Sequence, residues 1–277
     1  MKTISKITLL TDFSEVSGYA TTYALQIAKL ANAKVQIMHV INTPVDWVKI
    51  PLENEKLYPE TKAEIGMAKF KLGELAKEFG NQGVVAKPSL VYNLGVEDIA
   101  GHIKTSDTDL IIMGAHGQKG TSALNIGSNT NKVLRNVAAP TLVVKTDPKG
   151  VQVKNMVFAS TFEEDQKPAF KKAEVFAKIF GADLHLLNII TPFNFYETSE
   201  IDKRLHHFCK ECETTCKSHV YIAKNEVRGI HYFLENNKMD ILSIVTSGKS
   251  GFVQIFSPSL TESLIKQLDI PILSIHK

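Results

Sequence analysis

Residues 109–117, Asp-Leu-Ile-Ile-Met-Gly-Ala-His-Gly, with Gly127-Ser128 following after nine intervening residues, decide the fold. The apolar run Leu110 to Met113 has no polar alternation, which is the pattern of a strand buried on both faces of a parallel sheet. Asn129 to Val137 then reads as a helix with Val133, Leu134 and Val137 on one face. Strand, glycine loop and helix start together form a phosphate-binding layout. Glycine lets a backbone approach a ligand closely, and the free N–H groups at a helix N-terminus attract anionic oxygens.

Working outward, the chain contains itself twice. Leu9-Leu10-Thr11-Asp12-Phe13 returns as Phe158-Ala159-Ser160-Thr161-Phe162, at an offset of 149 residues. At that offset Ala20, Ala24, Ile27 and Ala28 match Ala169, Ala173, Phe176 and Ala177, so each copy carries an amphipathic helix after its first strand. Ile37 to Ile41 matches Leu186 to Ile190. Further on the offset is 131, pairing Asp109 with Asp240, Gly117 with Gly248 and Pro140 with Pro271; the second copy is 18 residues shorter in between. Repeats of this length are duplicated domains rather than solenoid units. The polar stretch Thr146 to Gly150 is the natural linker. The expected units are a nucleotide-binding domain over 1–146 and a second, degenerate one over 151–277.

The first copy reads as strand 6–11, helix 16–31, strand 33–40, helix 62–79, strand 84–90, helix 96–104, strand 108–113, helix 128–137 and strand 140–145. This alternation argues an α/β fold with a parallel sheet covered on both faces. The connection from Asn42 to Pro59, with Trp47, Tyr58 and three prolines, reads as a lid or an interface segment. In doubly wound sheets ligands bind beyond the carboxyl ends of the strands where the winding reverses. That rule asks the turn at Thr11-Asp12 to share a crevice with Gly114 to Gly117.

Composition excludes several classes. The net charge of +3, with no basic block, gives no nucleic-acid signature. No apolar run approaches the ~18 residues of a bilayer-spanning helix, and the N-terminus lacks a signal-peptide pattern. The three cysteines, clustered in Cys209 to Cys216, form no secreted disulfide framework. These features lead us to expect a cytoplasmic protein with no membrane or nucleic-acid partner.

The spacing of Gly114, Gly117, Gly127 and Ser128, together with Thr-Asp-Phe-Ser after the first strand and Met38-His39-Val40 at the end of the second, resembles the universal stress protein family. The resemblance covers both halves of the chain. It implies two tandem doubly wound domains, each a five-stranded parallel sheet of order 3-2-1-4-5, packed as an intrachain pseudo-dimer through their last strands; a further homodimer is compatible with it. It also implies ATP as ligand, with AMP or ADP as alternatives and Mg²⁺ accompanying the nucleotide. Carried over by position, Asp12 and the backbone around Leu10 and Val40 hold the adenine and ribose. Met113 and Gly114 border the ribose and α-phosphate. Gly117, Gly127, Ser128 and the Asn129 amide surround the outer phosphates, with the Ser128 hydroxyl reaching a phosphate oxygen or the Mg²⁺. The function implied is nucleotide-dependent regulation, through a change of shape or of protein partner. A slow ATPase at the same site, for which no general base is evident, and a nucleotide-independent scaffold are the alternatives.

The second copy departs from the signature. Thr161, Val245 and Pro258 replace Asp12, Gly114 and Gly127, so the expectation is one nucleotide site per chain. His39 reads as structural and His116 as an exposed loop residue. Ser247-Gly248-Lys249-Ser250 lacks the glycine a phosphate loop needs five residues before Gly248, where Ser243 stands, and is a chance match. His206, Cys209, Cys212 and Cys216 would share one face of a continuous helix. That face suits zinc, an apolar packing stripe or, more weakly, a redox-sensitive thiol.

Overall fold

Lys6–Leu10 forms strand β1, buried from Ile7 onward, and Thr11 closes it with a backbone bond to Met38. The computed structural model describes residues 3–94, 99–104, 108–116, 126–148, 150, 152–194, 196–246 and 258–277. After β1 the first domain runs α1 (Glu15–Ala31), β2 (Lys34–Asn42), α2 (Pro59–Asn81), β3 (Ala86–Asn93), α3 (Ile99–Lys104), β4 (Leu110–Gly114), α4 (Ser128–Asn136) and β5 (Thr141–Val144). The second runs β6 (Asn155–Ala159), α5 (Lys167–Phe180), β7 (Asp183–Ile190), α6 (Thr198–Lys210), β8 (Cys216–Ile222), α7 (Glu226–Asn236), β9 (Ile241–Thr246), α8 (Pro258–Gln267) and β10 (Ile272–His276). The expected elements of the first copy all form, with ends shifted by a few residues.

Within each domain the strands are parallel and ordered 3-2-1-4-5, as the resemblance implied. β5 and β10 then pair antiparallel, Leu142 opposite Leu273, so the two sheets fuse into one of ten strands. Helices α1 and α5 meet across this seam on one face of the sheet, and α4 and α8 on the other. Polar contacts close it: Lys145 Nζ donates to the Lys266 carbonyl at 3.0 Å, and Thr146 Oγ1 to that of Asp269 at 2.7 Å. His276 Nε2 lies 3.0 Å from the Leu134 carbonyl, which can only accept, so Nε2 carries the proton.

Helix α1 shows why these residues fold as they do. Ser14 caps it by accepting from the Ser17 N–H, Glu15 lies in its first turn, and Asn32 ends it in the left-handed region. Its buried face, Ala20, Ala24, Ile27 and Ala28, repeats at helical spacing and packs on the sheet. Part of the connection from Asn42 to Pro59, expected as a lid or interface segment, packs onto its own domain. Trp47 sits with Ile41, Ile65 and Ala68 in a small separate core, and Tyr58 meets it edge-on. Helix α6 stops at Lys210, so Cys212 and Cys216 are not on it; among the described residues no group of three His, Cys, Asp or Glu could hold a metal ion. None of the helices among the described residues is long and apolar enough to cross a membrane.

Candidate functional site

The carboxyl ends of β1, β2 and β4 and the start of α4 enclose a half-open cavity of about 760 Å³. Its apolar wall is made by Leu10, Met38, Val40, Ile99, Met113 and Ile126; its polar groups include Asp12, Asn42, Glu64, His116, Ser128 and Asn129. All of the nominated residues line it except Gly117, which lies outside the described residues. The crevice required of Thr11-Asp12 and Gly114 therefore exists.

The β1–α1 turn presents Asp12. Phe13 adopts φ 61°, a left-handed conformation rare for an aromatic residue, as does Phe162 (φ 57°) at the repeat-equivalent place. This kink is stabilised by the side chains around it. Thr11 Oγ1 accepts from the Phe13 N–H at 3.0 Å, and Asp12 Oδ1 accepts from the Ser14 N–H and hydroxyl at 3.1 and 2.6 Å. Asp12 is thus pre-oriented at the cavity edge. His39, expected as structural, both lines the cavity and braces the turn: its Nδ1 lies 2.7 Å from the Thr11 carbonyl and its ring packs on Phe13. That carbonyl can only accept, so Nδ1 carries the proton and Nε2 is left as an acceptor in the neutral ring.

On the opposite side Gly114 ends β4 where α1 begins. A Cβ there would lie 3.0 Å from Val16 Cγ1 and 3.2 Å from the Val16 carbonyl carbon, so any larger residue would push the start of α1 outward by a few tenths of an ångström. Gly127 is different. Its φ is −61° and a Cβ would meet nothing nearer than 3.4 Å, so the local fold does not demand glycine there. It serves as N-cap of α4 without a side-chain cap, and Ser128 and Asn129 are exposed. Uncapped first-turn N–H groups and the positive helix end then face the cavity, a ready site for an anion. Thr130 Oγ1 donates to the Gly114 carbonyl at 3.1 Å and fixes this helix start to β4.

Ser17, Glu64, Ile99 and Thr130 also line the cavity and were not expected from the motif. Ser17 and Thr130 each sit within three residues of a motif position; Glu64 and Ile99 come from other helices, α2 and α3, and carry no local signal.

Two segments of the chain, residues 3–145 and 152–276, match the universal stress protein family, and the chain belongs to that family. A universal stress protein of Methanocaldococcus jannaschii is 32% identical over 146 residues, spanning 52% of this chain and 84% of that protein. Universal stress protein YxiE of Bacillus subtilis is 27% identical over 146 residues, spanning 51% and 99%. A universal stress protein of Archaeoglobus fulgidus has the same tandem fold, with a TM-score of 0.75 over 98% of each chain at 18% identity.

Proposed function

We propose that this universal stress protein binds one adenine nucleotide per chain, ATP foremost with AMP or ADP as alternatives, in the cavity of the domain spanning residues 1–146. The domain over 151–277 is its degenerate partner. Leu10, Asp12 and Val40 take the adenine and ribose; Met113 and Gly114 border the ribose and α-phosphate; Gly117, Gly127, Ser128 and the Asn129 amide take the outer phosphates. The observation that carries this reading is the side-by-side placement of an apolar slot, a pre-oriented carboxylate and an uncapped helix N-terminus in one cavity of nucleotide size. Since the described residues hold no ready-made metal cluster, Mg²⁺ would arrive with the phosphates, and Ser128 is the side chain suited to meet it.

The arrangement favours regulated binding over turnover. The carboxylates among the described lining residues, Asp12 and Glu64, belong to the β1–α1 turn and α2, away from the β4–α4 side where the outer phosphates would lie. Among the described residues His116 is the titratable lining side chain that follows β4, and a slow ATPase at this site is the alternative reading. Nucleotide occupancy would instead change the surface around the cleft and so the protein partners it meets, inside the cytoplasm.

Denaturing freshly purified protein and identifying the released small molecule by mass spectrometry tests this reading. About one adenine nucleotide per chain is expected. Two per chain would defeat the single-site assignment. None, with no uptake of added ATP and Mg²⁺, would leave a nucleotide-independent scaffold.

A further inference from the structure

All three cysteines of the chain meet at the corner between α6 and β8, at the far edge of the sheet from the nucleotide cavity. Cys209 lies in the last turn of α6, Cys212 in the turn and Cys216 at the first position of β8. Cys209 Sγ and Cys216 Sγ are 2.7 Å apart, within easy reach of the ~2.05 Å of a disulfide bond.

The surrounding contacts hold this approach in place. The buried Glu174 carboxylate on α5 accepts from the Glu213 N–H and from Lys171 Nζ. Lys171 Nζ also donates to the Glu211 carbonyl at 2.7 Å, and Lys178 pairs with Glu213. Contacts from α5 therefore grip the 211–213 stretch between the thiols. The three cysteine residues are half-buried at the edge of the core, a position a small oxidant can approach.

We propose that Cys209 and Cys216 form a dithiol modification site that hydrogen peroxide closes into a disulfide, tying the end of α6 to the start of β8. The Cys209 thiolate attacks the distal oxygen of the peroxide; an S–O bond forms and the O–O bond breaks. The departing hydroxide takes the Cys216 thiol proton and leaves as water. The Cys216 thiolate then attacks Cys209 Sγ; the S–S bond forms, the S–O bond breaks, and the second hydroxide is protonated from solvent. Two thiols lose two electrons and one peroxide becomes two waters. The Cys216 thiol, by hydrogen bonding to Cys209, holds Cys209 below the ordinary thiol range, which supplies the nucleophile. Cys212 is lowered to about 6 by hydrogen bonds from Cys216 and Thr214, and it is the competing partner that the test must separate.

Reduced full-length protein is treated with graded hydrogen peroxide, free thiols are counted, and non-reducing peptide maps identify the linked residues. The expected result is a fall from three free thiols to one, with Cys209 joined to Cys216 within one chain. In Cys212→Ser the same link should form and the count should fall to zero. The proposal is overturned if the link involves Cys212 or joins two chains. It is equally overturned if all three thiols survive peroxide that fully oxidises a simple dithiol, or are driven to higher acids without any link. None of these outcomes depends on nucleotide.

Discussion

The two domains share one strand order and one kinked turn, yet the same corner is open in the first and filled in the second. In the first, Ser17 is small: it accepts from Thr11 Oγ1 at 3.1 Å and lines the cavity. Its repeat equivalent is Gln166, almost wholly buried (1% exposed), which accepts from Ser160 Oγ and from the Phe162 N–H and donates to Thr161 Oγ1 at 2.7 Å. The brace changes in kind as well. Where His39 meets the Thr11 carbonyl, Asn188 meets that of Ser160. Beside it Ile189, equivalent to Val40, is pressed by α7: a Cβ on Gly229 would come within 2.5 Å of it. At this corner the second copy therefore differs in packing as well as in residue type, with Gln166 buried where the first copy has Ser17.

The largest test of this contrast imports Val245 into the first domain. Gly114→Val puts branched carbons where a Cβ alone would lie 3.0 Å from Val16 Cγ1, so we expect nucleotide binding to fall at least ~100-fold and stability by about 1–3 kcal/mol. Calorimetric titration and a thermal melt read both, and native values for each would break the comparison. Next comes Asp12→Thr, which mimics Thr161. Losing charged hydrogen bonds worth roughly 1.5–3 kcal/mol should weaken nucleotide binding by about 10- to 100-fold, and because Asp12 also accepts from Ser14 the melt should fall as well. Ser17→Gln, mimicking Gln166, should cost about tenfold in affinity by partial occlusion of the cavity (roughly 1.4 kcal/mol). If affinity is unchanged there, Gln166 is not what fills the second site.

The smallest effect is a pH response confined to the second domain. There His185 on β7 and His219 on β8 lie with parallel rings side by side, nitrogens 2.9 Å apart, and His219 meets Phe233 of α7. Burial holds both below the ordinary histidine value; Lys217 opposes a proton on either, and Asp183 only partly offsets this at His185. With folded values below the unfolded ~6.5, the unfolded chain binds more protons in mild acid. The stability this pair contributes is thus complete above about 6.5 and is lost as pH falls through 6.5 towards the lowered values. Between pH 7 and 5 amide protection, corrected for the intrinsic exchange rate, should fall in β7 and β8 before β2 and β3; a uniform fall would dissolve the distinction.

What was legible in the sequence was what is encoded locally. The continuous apolar run Leu110 to Met113 marked the central strand β4, and the helical spacing of Ala20, Ala24 and Ile27 marked the face of α1 that covers the sheet. Gly114 announced itself through its spacing to Gly117, Gly127 and Ser128, and the close approach of Val16 gives that glycine a local reason. The filler role of Gln166 was not readable, since it depends on a corner assembled from β6 and α5. His39 was underrated for a like reason: its partner, Thr11, lies 28 residues away on another strand. The cysteine corner was misjudged as one helix face because the turn that breaks the helix is gripped from α5 by Glu174, Lys171 and Lys178, a distant element with no trace in the local pattern. Trp47 pointed to a loop with a task, and that task includes sealing a small core of its own domain.

The antiparallel seam between β5 and β10 has a consequence for mass action. Had the two sheets belonged to separate molecules, the joined form would dissolve on dilution and its abundance would follow the square of the protomer concentration. Here the linker keeps each sheet edge permanently near the other, at an effective concentration fixed by a few residues of chain and independent of how much protein is present. A scarce copy of this protein is as fully paired as an abundant one, and each copy joins the same two unlike domains, one with Ser17 and one with Gln166 at its corner, at every level of expression.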